Sequence, residues 1–355
     1  MKTIIIGAGI SGLTIASKLQ NEEYIILEAR ERIGGRVFTN DKNIDDGAAW
    51  VHGLCNNPLT NLLLSDDLIP VAECNPWMHS ENANITYLLG DTKRGFIREP
   101  GVPLDEFPLE KRQLLAEKWN DLILKTDKIN GSTTIADAFS FLSEDDDMRI
   151  FLYMIEVWCG GSINNLPVSF LQQSDYALFG DYAGSHCLFK NGAKTLVESL
   201  SKGCLDKIIC NQVVTKIIHG QNEVEVHTRE GVIYKCNKLC ITIPPGPLRD
   251  IEFEPPLPAN KMSALAHIKM GSYKKIQLEF DEVFWNDAPM ILTRNEENEY
   301  ILWNNYMVSK NMPILEAICP ADNGFRLTGK SDEEIVETVL DHLKLYFKNV
   351  PFPKS

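Results

Sequence analysis

Hydrophobic residues open the chain as a short β-branched run, "TIIIG" at residues 3–7, the pattern of a buried strand that stops at glycine. Apolar positions then recur at helical spacing, Ile10, Leu13, Ala16 and Leu19, within "ISGLTIASKLQ". "EYIILE" at 23–28 returns to a strand pattern. Residues 58 to 184 read mainly helical, in "LTNLLLSDDL", "LEKRQLLAEKWNDLILKTDKI", "TIADAFSFL" and "MRIFLYMIEVW". "SEDDDM" at 143–148 sets acids where the positive end of a helix dipole would start. A helix near 193–202 and alternating strands to Ile243 come next, and Pro244-Pro245-Gly246-Pro247 closes that block. A strand at 272–280 and a helix near 332–347 complete the pattern, with no internal repeat, low-complexity tract or Pro/Ser linker.

Between the first strand and the first helix lies Gly7-Ala8-Gly9-Ile10-Ser11-Gly12, a G-x-G-x-x-G. Such a match is weak alone. Here it follows a strand and opens a helix, and Glu28 ends the second strand 16 residues after Gly12. That is the dinucleotide-binding arrangement of a Rossmann-type α/β domain. Gly7 makes the tight turn, Gly9 lets a pyrophosphate approach the backbone, and Gly12 lets the helix sit close to the strand. The helix start offers free N–H groups and a positive dipole end. Glu28 can accept hydrogen bonds from ribose hydroxyls and repels a 2′-phosphate, which favours FAD or NAD over NADP.

"EARERIGGR" at 28–36 extends the site. Arg30 and Arg36 are placed to reach phosphates, Gly34 and Gly35 let the backbone pass close to a cofactor, and Arg32 is expected on the surface. An NAD-only domain does not require this second cluster, so FAD is preferred.

Length and composition then set limits. The 355 residues fit about two domains. The chain is 44% hydrophobic and 24% charged, ordinary for a globular protein, and its net charge of −14 argues against a wide nucleic-acid footprint. An acidic surface suits a small cationic substrate. Nine scattered cysteines read as reduced thiols, and the Cys236/Cys240 pair has no second ligand pair, so no metal site is expected. Gly7, Gly9 and Gly12 break the N-terminal apolar run, so neither a signal peptide nor a membrane span is expected, and the location expected is cytoplasmic.

The sequence resembles the flavin-containing amine oxidases, the family of polyamine oxidases, monoamine oxidases and lysine-specific histone demethylases. The matching stretches are "IIIGAGISGL", "LEARERIGGRV", "DDGAAWVHGLCNNPL", "GSHCLFKNGAKTLVESL", "NQVVTKI", "CITIPPGPLRDIEFEPPLP" and "MGSYKKIQLEFDEVFW", in the family's order over residues 3–285. The resemblance implies an α/β fold. A discontinuous Rossmann-type (GR2-like) FAD-binding domain would span 1–57 and 186–250, and a mixed α+β substrate-binding domain 58–185 and 251–355. It also implies that Glu28, Ala29, Arg30, Gly34, Gly35 and Arg36 contact FAD, and that Gly47, Ala48, Ala49 and Trp50 pass the flavin ring. The backbone of Val214 would meet the adenine. Lys275 matches the family lysine that holds a water near flavin N5, with Lys274 out of register, and His52 matches the histidine of the polyamine-oxidase branch in its W-[IV]-H-G motif. Trp285 and Trp303 read as core aromatics.

The activity this implies is hydride transfer from the carbon beside an amine nitrogen to the flavin, followed by imine hydrolysis and release of hydrogen peroxide. The amine should react neutral. Deprotonating an alkylamine of pKa about 10.4 at pH 7 costs about 4–5 kcal/mol, which a desolvated pocket near Lys275 would reduce. Family members carry a further FAD segment, usually with F-A-G-E, whereas this sequence stops at "HLKLYFKNVPFPKS" and contains no F-A-G-E. The expectation is a truncated or naturally shortened member that holds FAD weakly. Apolar surface left by that segment would then invite a partner or self-association, and the alternative function is a catalytically weak binding or regulatory module.

Overall fold

The computed structural model describes residues 3–19, 22–52, 54, 57–62, 67–74, 125, 126, 128–142, 146–171, 184–285, 290–294 and 299–354. It divides into two compact units, one of Met1–Trp50, Asn61–Leu68 and Leu188–Met270, the other of Val51–Thr60, Ile69–Cys187 and Gly271–Ser355. Along the chain the strands are β1 (Thr3–Ile6), β2 (Tyr24–Leu27), β3 (Trp50–Val51), β4 (Leu68–Cys74) and β5 (Gly184–Phe189). Then come β6 (Ile208–Ile209), β7 (Val214–His219), β8 (Val224–Thr228), β9 (Ile233–Cys236), β10 (Lys238–Ile241) and β11 (Glu252–Glu254). The last four are β12 (Tyr273–Glu279), β13 (Met290–Arg294), β14 (Tyr300–Asn305) and β15 (Ile314–Pro320).

The first unit is built on a parallel sheet of order β10-β1-β2-β6. Every residue of β1 is buried, as a β-branched run covered on both faces requires. Its register sets Ile5 beside Ile26 on one side and Cys240 on the other. The helix Ile10–Lys18 buries Gly12, Leu13 and Ala16 and packs on the helix Lys194–Ser201. A second sheet, β11-β7-β8-β9, shares an apolar cluster with the first: Ile4, Ile6, Leu27, Val214, Ile217, Val226, Cys236 and Ile251.

The division along the chain differs from the expected one at 51–57, 61–68, 186–187 and 251–270. Residues 251–270 belong to the first unit. There β11 pairs in parallel with β7, and Lys216 Nζ bridges Glu252 (2.9 Å) and Glu254 (2.7 Å). The prolines at 244–247 do not end the unit; they start a short helix, Pro245–Arg249, where proline at the first turn loses no hydrogen bond. Residues 51–57, expected in the first unit, fall in the second.

The second unit is built on an antiparallel sheet of order β12-β15-β14-β13. Leu278, Phe280, Trp303, Leu315 and Ala317 share a buried cluster with Val339, Leu340 and Leu343 of the helix Asp332–Lys344. That helix starts on a capping box: Ser331 Oγ accepts from Glu334 N, and Glu334 Oε2 accepts from Ser331 N at 2.8 Å. Tyr153, from the helix Asp146–Cys159, donates to Ile318 O (3.3 Å) and accepts from Leu302 N (3.0 Å), which ties that helix to β14 and β15.

One expected helix is something else. "LTNLLLSDDL" begins with a 3-10 turn, Pro58–Asn61, and its last residue opens β4. β4 carries Ile69 and Val71 around Pro70, a composition that favours extended chain over a helix interior. "LEKRQLLAEKWNDLILKTDKI" lies almost entirely outside the described residues. Among the described residues no helix is long and apolar enough to cross a membrane.

Candidate functional site

In the first unit the glycine-rich turn, the end of β2 and the arginine-glycine segment come together. Glu28 is 7% exposed. Its Oε2 accepts from Ala8 N at 2.7 Å and its Oε1 from Arg30 N at 3.0 Å, so the carboxylate pins the phosphate-type turn to the segment that follows it. Each oxygen keeps a lone pair for a further donor such as a ribose hydroxyl. Gly34 N donates to Ala8 O at 2.9 Å, and Gly9 and Gly34 face each other as a bridge.

Two glycines explain why the turn is spelled as it is. A Cβ on Gly12 would stand 1.9 Å from Gly7 O, so no other residue lets this helix lie against the turn. A Cβ on Gly9 would meet nothing closer than Gly35 Cα at 3.8 Å. Gly9 is therefore bare for another reason: it leaves open space in front of a helix start that no side chain caps. Uncapped N–H groups, a positive dipole end and an open cradle suit a phosphate.

The remaining expected contacts take these positions. Gly7, Ala8, Ile10 and Ser11 form the turn and first helical residues. Ala29, Arg30 and Arg36 are exposed, Gly34 is buried, and Gly35 is half-buried with φ +62°. Ala48 N donates to Arg36 O (3.1 Å) and Gly47 N to Phe38 O (3.1 Å), which lays residues 47–48 along the arginine-glycine segment. Ala49 is buried and Trp50 half-buried. Val214 packs in the apolar cluster beside Leu27, while Gln212 N donates to Glu28 O (2.8 Å) and brings the start of β7 to the end of β2.

Arg32 departs from its expected surface place. It is half-buried, its guanidinium lies 4.4 Å over the Phe38 ring, and Nη1 donates to Ile33 O at 3.3 Å. Desolvation, and then repulsion from Arg30, push its pKa down. Sequence reasoning also missed Asp45. It is 2% exposed and accepts from Thr39 Oγ1 (2.5 Å) and from Ala193 N (2.8 Å) at the start of the helix Lys194–Ser201. Thr39 Oγ1 in turn accepts from Lys194 N at 2.9 Å.

His52 and Lys275 belong to the second unit. His52 presents surface to solvent, yet desolvation pushes its pKa below the ordinary value of 6.5. A lowered pKa favours the neutral imidazole over the charged one. Its backbone carbonyl accepts from Asn57 Nδ2 at 3.4 Å.

Lys275 lies on the face of β12 opposite Ile276, Leu278 and Phe280. Its side chain is 8% exposed, with Nζ 3.7 Å from Oε1 of Glu316, whose side chain is fully buried. Glu316 also accepts from Asn304 Nδ2 (2.8 Å), Gln277 Nε2 (3.0 Å) and Tyr306 OH (3.4 Å). The signal for this network was a lone acid inside the apolar strand "ILEAICP". Trp285 and Trp303 are buried, their indole N–H groups donating to Asn305 Oδ1 (2.9 Å) and Thr293 Oγ1 (2.8 Å). Among the described residues no cluster of His, Cys, Asp and Glu is placed to hold a metal ion.

A parallel sheet, a bare helix start and an acid closing the second strand define a dinucleotide-binding protein. Comparison with known proteins narrows the class. Residues 10–355 match the family described as flavin containing amine oxidoreductase, and the chain belongs to that family. Polyamine oxidase 4 of Oryza sativa subsp. japonica is 30% identical over 366 residues, which cover 96% of this chain and 72% of the rice protein. Lysine-specific histone demethylase 2 of Homo sapiens is 31% identical over 300 residues, 80% of this chain and 35% of the human protein. Among solved structures, cyclohexylamine oxidase from Brevibacterium oxydans IH-35A superimposes with a TM-score of 0.76 at 19% identity, covering 98% of this chain and 81% of that one. Membership means FAD-dependent oxidation of an amine. The open cradle at Gly9 and the buried acceptor Glu28 fit that cofactor.

Proposed function

We propose that the protein oxidises an amine of the polyamine type. Bound FAD would supply the redox chemistry: the carbon beside the amine nitrogen would lose a hydride to it, the nitrogen a proton, the resulting imine would be hydrolysed by water, and the two electrons would leave with oxygen as hydrogen peroxide. The chain's own residues do the rest. The N–H groups at the start of the helix Ile10–Lys18 hold the pyrophosphate, and Glu28 accepts from the ribose while it braces Ala8 and Arg30. Arg30 and Arg36, both exposed, supply positive charge for phosphate. Ala29, Gly34 and Gly35 line the same segment, residues 47–50 carry the ring-side contact, and Val214 the adenine contact, as the family register implies. In that register Lys275 holds a water beside the ring.

The observation that carries the substrate reading is His52. An imidazole whose pKa is pushed down by desolvation favours the neutral form, which accepts a hydrogen bond from an ammonium or secondary amine without repelling it. It stands in Trp50-Val51-His52-Gly53, the form of the polyamine-oxidase branch, and the −14 charge favours a multiply charged cation. The resemblance to polyamine oxidase 4 points the same way. Peroxide release measured with spermine, spermidine and their acetyl derivatives beside benzylamine-like monoamines tests it. The polyamines should be the better substrates; a clear preference for benzylamine would remove this reading and leave amine oxidation itself standing.

A further inference from the structure

The helix Lys194–Ser201 cannot cap itself. Its N-cap is Ala193, whose side chain carries no acceptor for the first amides of the helix. Two residues far away in sequence supply the acceptors: Ala193 N donates to Asp45 Oδ1 at 2.8 Å, and Lys194 N donates to Thr39 Oγ1 at 2.9 Å. Thr39 Oγ1 in turn donates to the same Asp45 Oδ1 at 2.5 Å. Asp45 is 2% exposed. A serine or aspartate in place of Ala193 would cap the helix without any remote partner, so helix stability alone does not explain this arrangement.

Thr39 and Asp45 also close a hairpin. At its tip Asn40 N donates to Ile44 O (2.8 Å), Thr39 and Asp45 face each other as an antiparallel bridge, and Gly47 N and Ala48 N donate to Phe38 O and Arg36 O (both 3.1 Å). One arm leads back to Gly34, Gly35 and Arg36; the other leads on to residues 47–50. The fit is close. A Cβ on Gly47 would stand 2.2 Å from Arg36 O, and one on Gly192, just ahead of the helix, 2.0 Å from Thr39 Cγ2. The helix Lys194–Ser201 packs on the helix Ile10–Lys18, whose start is the phosphate cradle, and a Cβ on Gly34 would meet its Val197 at 3.3 Å. One helix therefore supports the phosphate side from below and holds the hairpin at its first turn.

We propose that Asp45 is the positioning residue of the ring-side arm: by holding the hairpin to the first turn of the helix Lys194–Ser201, it fixes residues 47–50 relative to the phosphate cradle. Asp45 acts through the hairpin and not by contact with the cofactor. The proposal rests on the reading of residues 47–50 given under Proposed function.

Asp45→Ala and Asp45→Asn in the full chain test it, by amide hydrogen exchange and by titration with FAD and with ADP, the half of the cofactor that lies on the phosphate side. Asp45→Ala should speed exchange at Gly47 and Ala48, while Gly34, whose N–H donates to Ala8 O, keeps its protection. Affinity for FAD should fall about tenfold while affinity for ADP holds. Asp45→Asn, which keeps an oxygen acceptor, should recover most of the FAD affinity. A purely structural role would loosen all three amides together and weaken FAD and ADP by the same factor. That outcome, or unchanged exchange at Gly47 and Ala48, or no recovery with Asp45→Asn, would overturn the proposal. Should Asp45→Ala fail to fold, Thr39→Val replaces it, removing the hydroxyl that joins the two arms while keeping the side-chain shape. The same split between amides and between ligands then supports the proposal, and the lack of a split overturns it. If Gly47 and Ala48 loosen while FAD affinity holds, the positioning by Asp45 stands and it is the ring-side reading of residues 47–50 that has failed.

Discussion

The two units build their candidate sites from different material. In the first, the site is backbone: Ala8 N, Arg30 N and the uncapped helix start beyond Gly9, arranged by glycines within a few turns of chain. In the second, it is side chain: Lys275 and Gln277 from β12, Asn304 from β14, Glu316 from β15 and Tyr306 from the helix that follows β14. A backbone site tolerates varied side chains but not an added Cβ. A side-chain site tolerates backbone variation but not the loss of one polar atom, because each buried partner is then left unsatisfied. The same physical need, to satisfy charge without water, is met once by dipoles and once by a network.

The largest effect expected is at Gly12. Gly12→Ala forces a Cβ to within 1.9 Å of Gly7 O and should cost more than about 3 kcal/mol, enough to lose folded, flavin-binding protein. Gly9→Ala makes the contrast sharp. Its Cβ finds space, so the thermal midpoint should hardly move while FAD affinity, measured by titration, falls at least about tenfold. Similar midpoints for the two variants would show that the turn is not packed as described.

Glu28→Ala removes the acceptor of two buried-side N–H donors and should cost about 2–3 kcal/mol in stability along with flavin content. Arg32→Ala should cost less, about 0.5–1 kcal/mol, through lost stacking on Phe38. Chemical denaturation of both variants measures the difference, and an Arg32→Ala loss as large as that of Glu28→Ala would reverse their ranking.

On the side-chain unit, Lys275→Met should slow turnover by about 10- to 100-fold, or about 1.4–2.7 kcal/mol of barrier. Lys274→Met should have little effect, because alternate residues of β12 face opposite sides of the sheet. Stopped-flow reduction and reoxidation of both variants decides it; if Lys274→Met is the slower, the facing of the whole strand is inverted.

The last effect expected is a pH dependence. Burial raises the Glu156 carboxyl from 4.5 to about 7, opposed by its hydrogen bond from Ile163 N at 2.9 Å and reinforced by Asp322. A carboxyl whose folded pKa is raised gives stability that is fully present below the unfolded value and lost as pH rises through the folded one. The loss should fall between pH 4.5 and about 7. It amounts to at most about 3 kcal/mol, lowered to about 1–2 kcal/mol by partial exposure. Glu156→Gln should flatten that part of the midpoint-against-pH curve, and an unchanged slope would contradict the assignment.

What was legible in the sequence lies mainly where neighbours along the chain are neighbours in space. The β1 strand, the glycine turn, the helix Ile10–Lys18, β2 and Glu28 read directly, because each position admits few residue types: β-branched for a strand buried on both faces, glycine where a Cβ would strike Gly7 O, an acid where Ala8 N needs an acceptor. The strand containing Lys275 and the helix beginning at Asp332 read from the pattern of apolar positions. Arg32 did not, since whether an arginine stacks on Phe38 or extends into water depends on how the segment folds back on itself. Nor did the place of residues 251–270, because β11 chooses its partner through pairing with β7 and through Lys216, both remote in sequence from any boundary signal. Asp45 at the start of the helix Lys194–Ser201 and Glu316 beside Lys275 are decided in the same way. Local periodicity determines which elements form and which face is apolar. Which buried acid meets which donor is set when distant strands and loops are brought into register, and that step belongs to the tertiary structure alone.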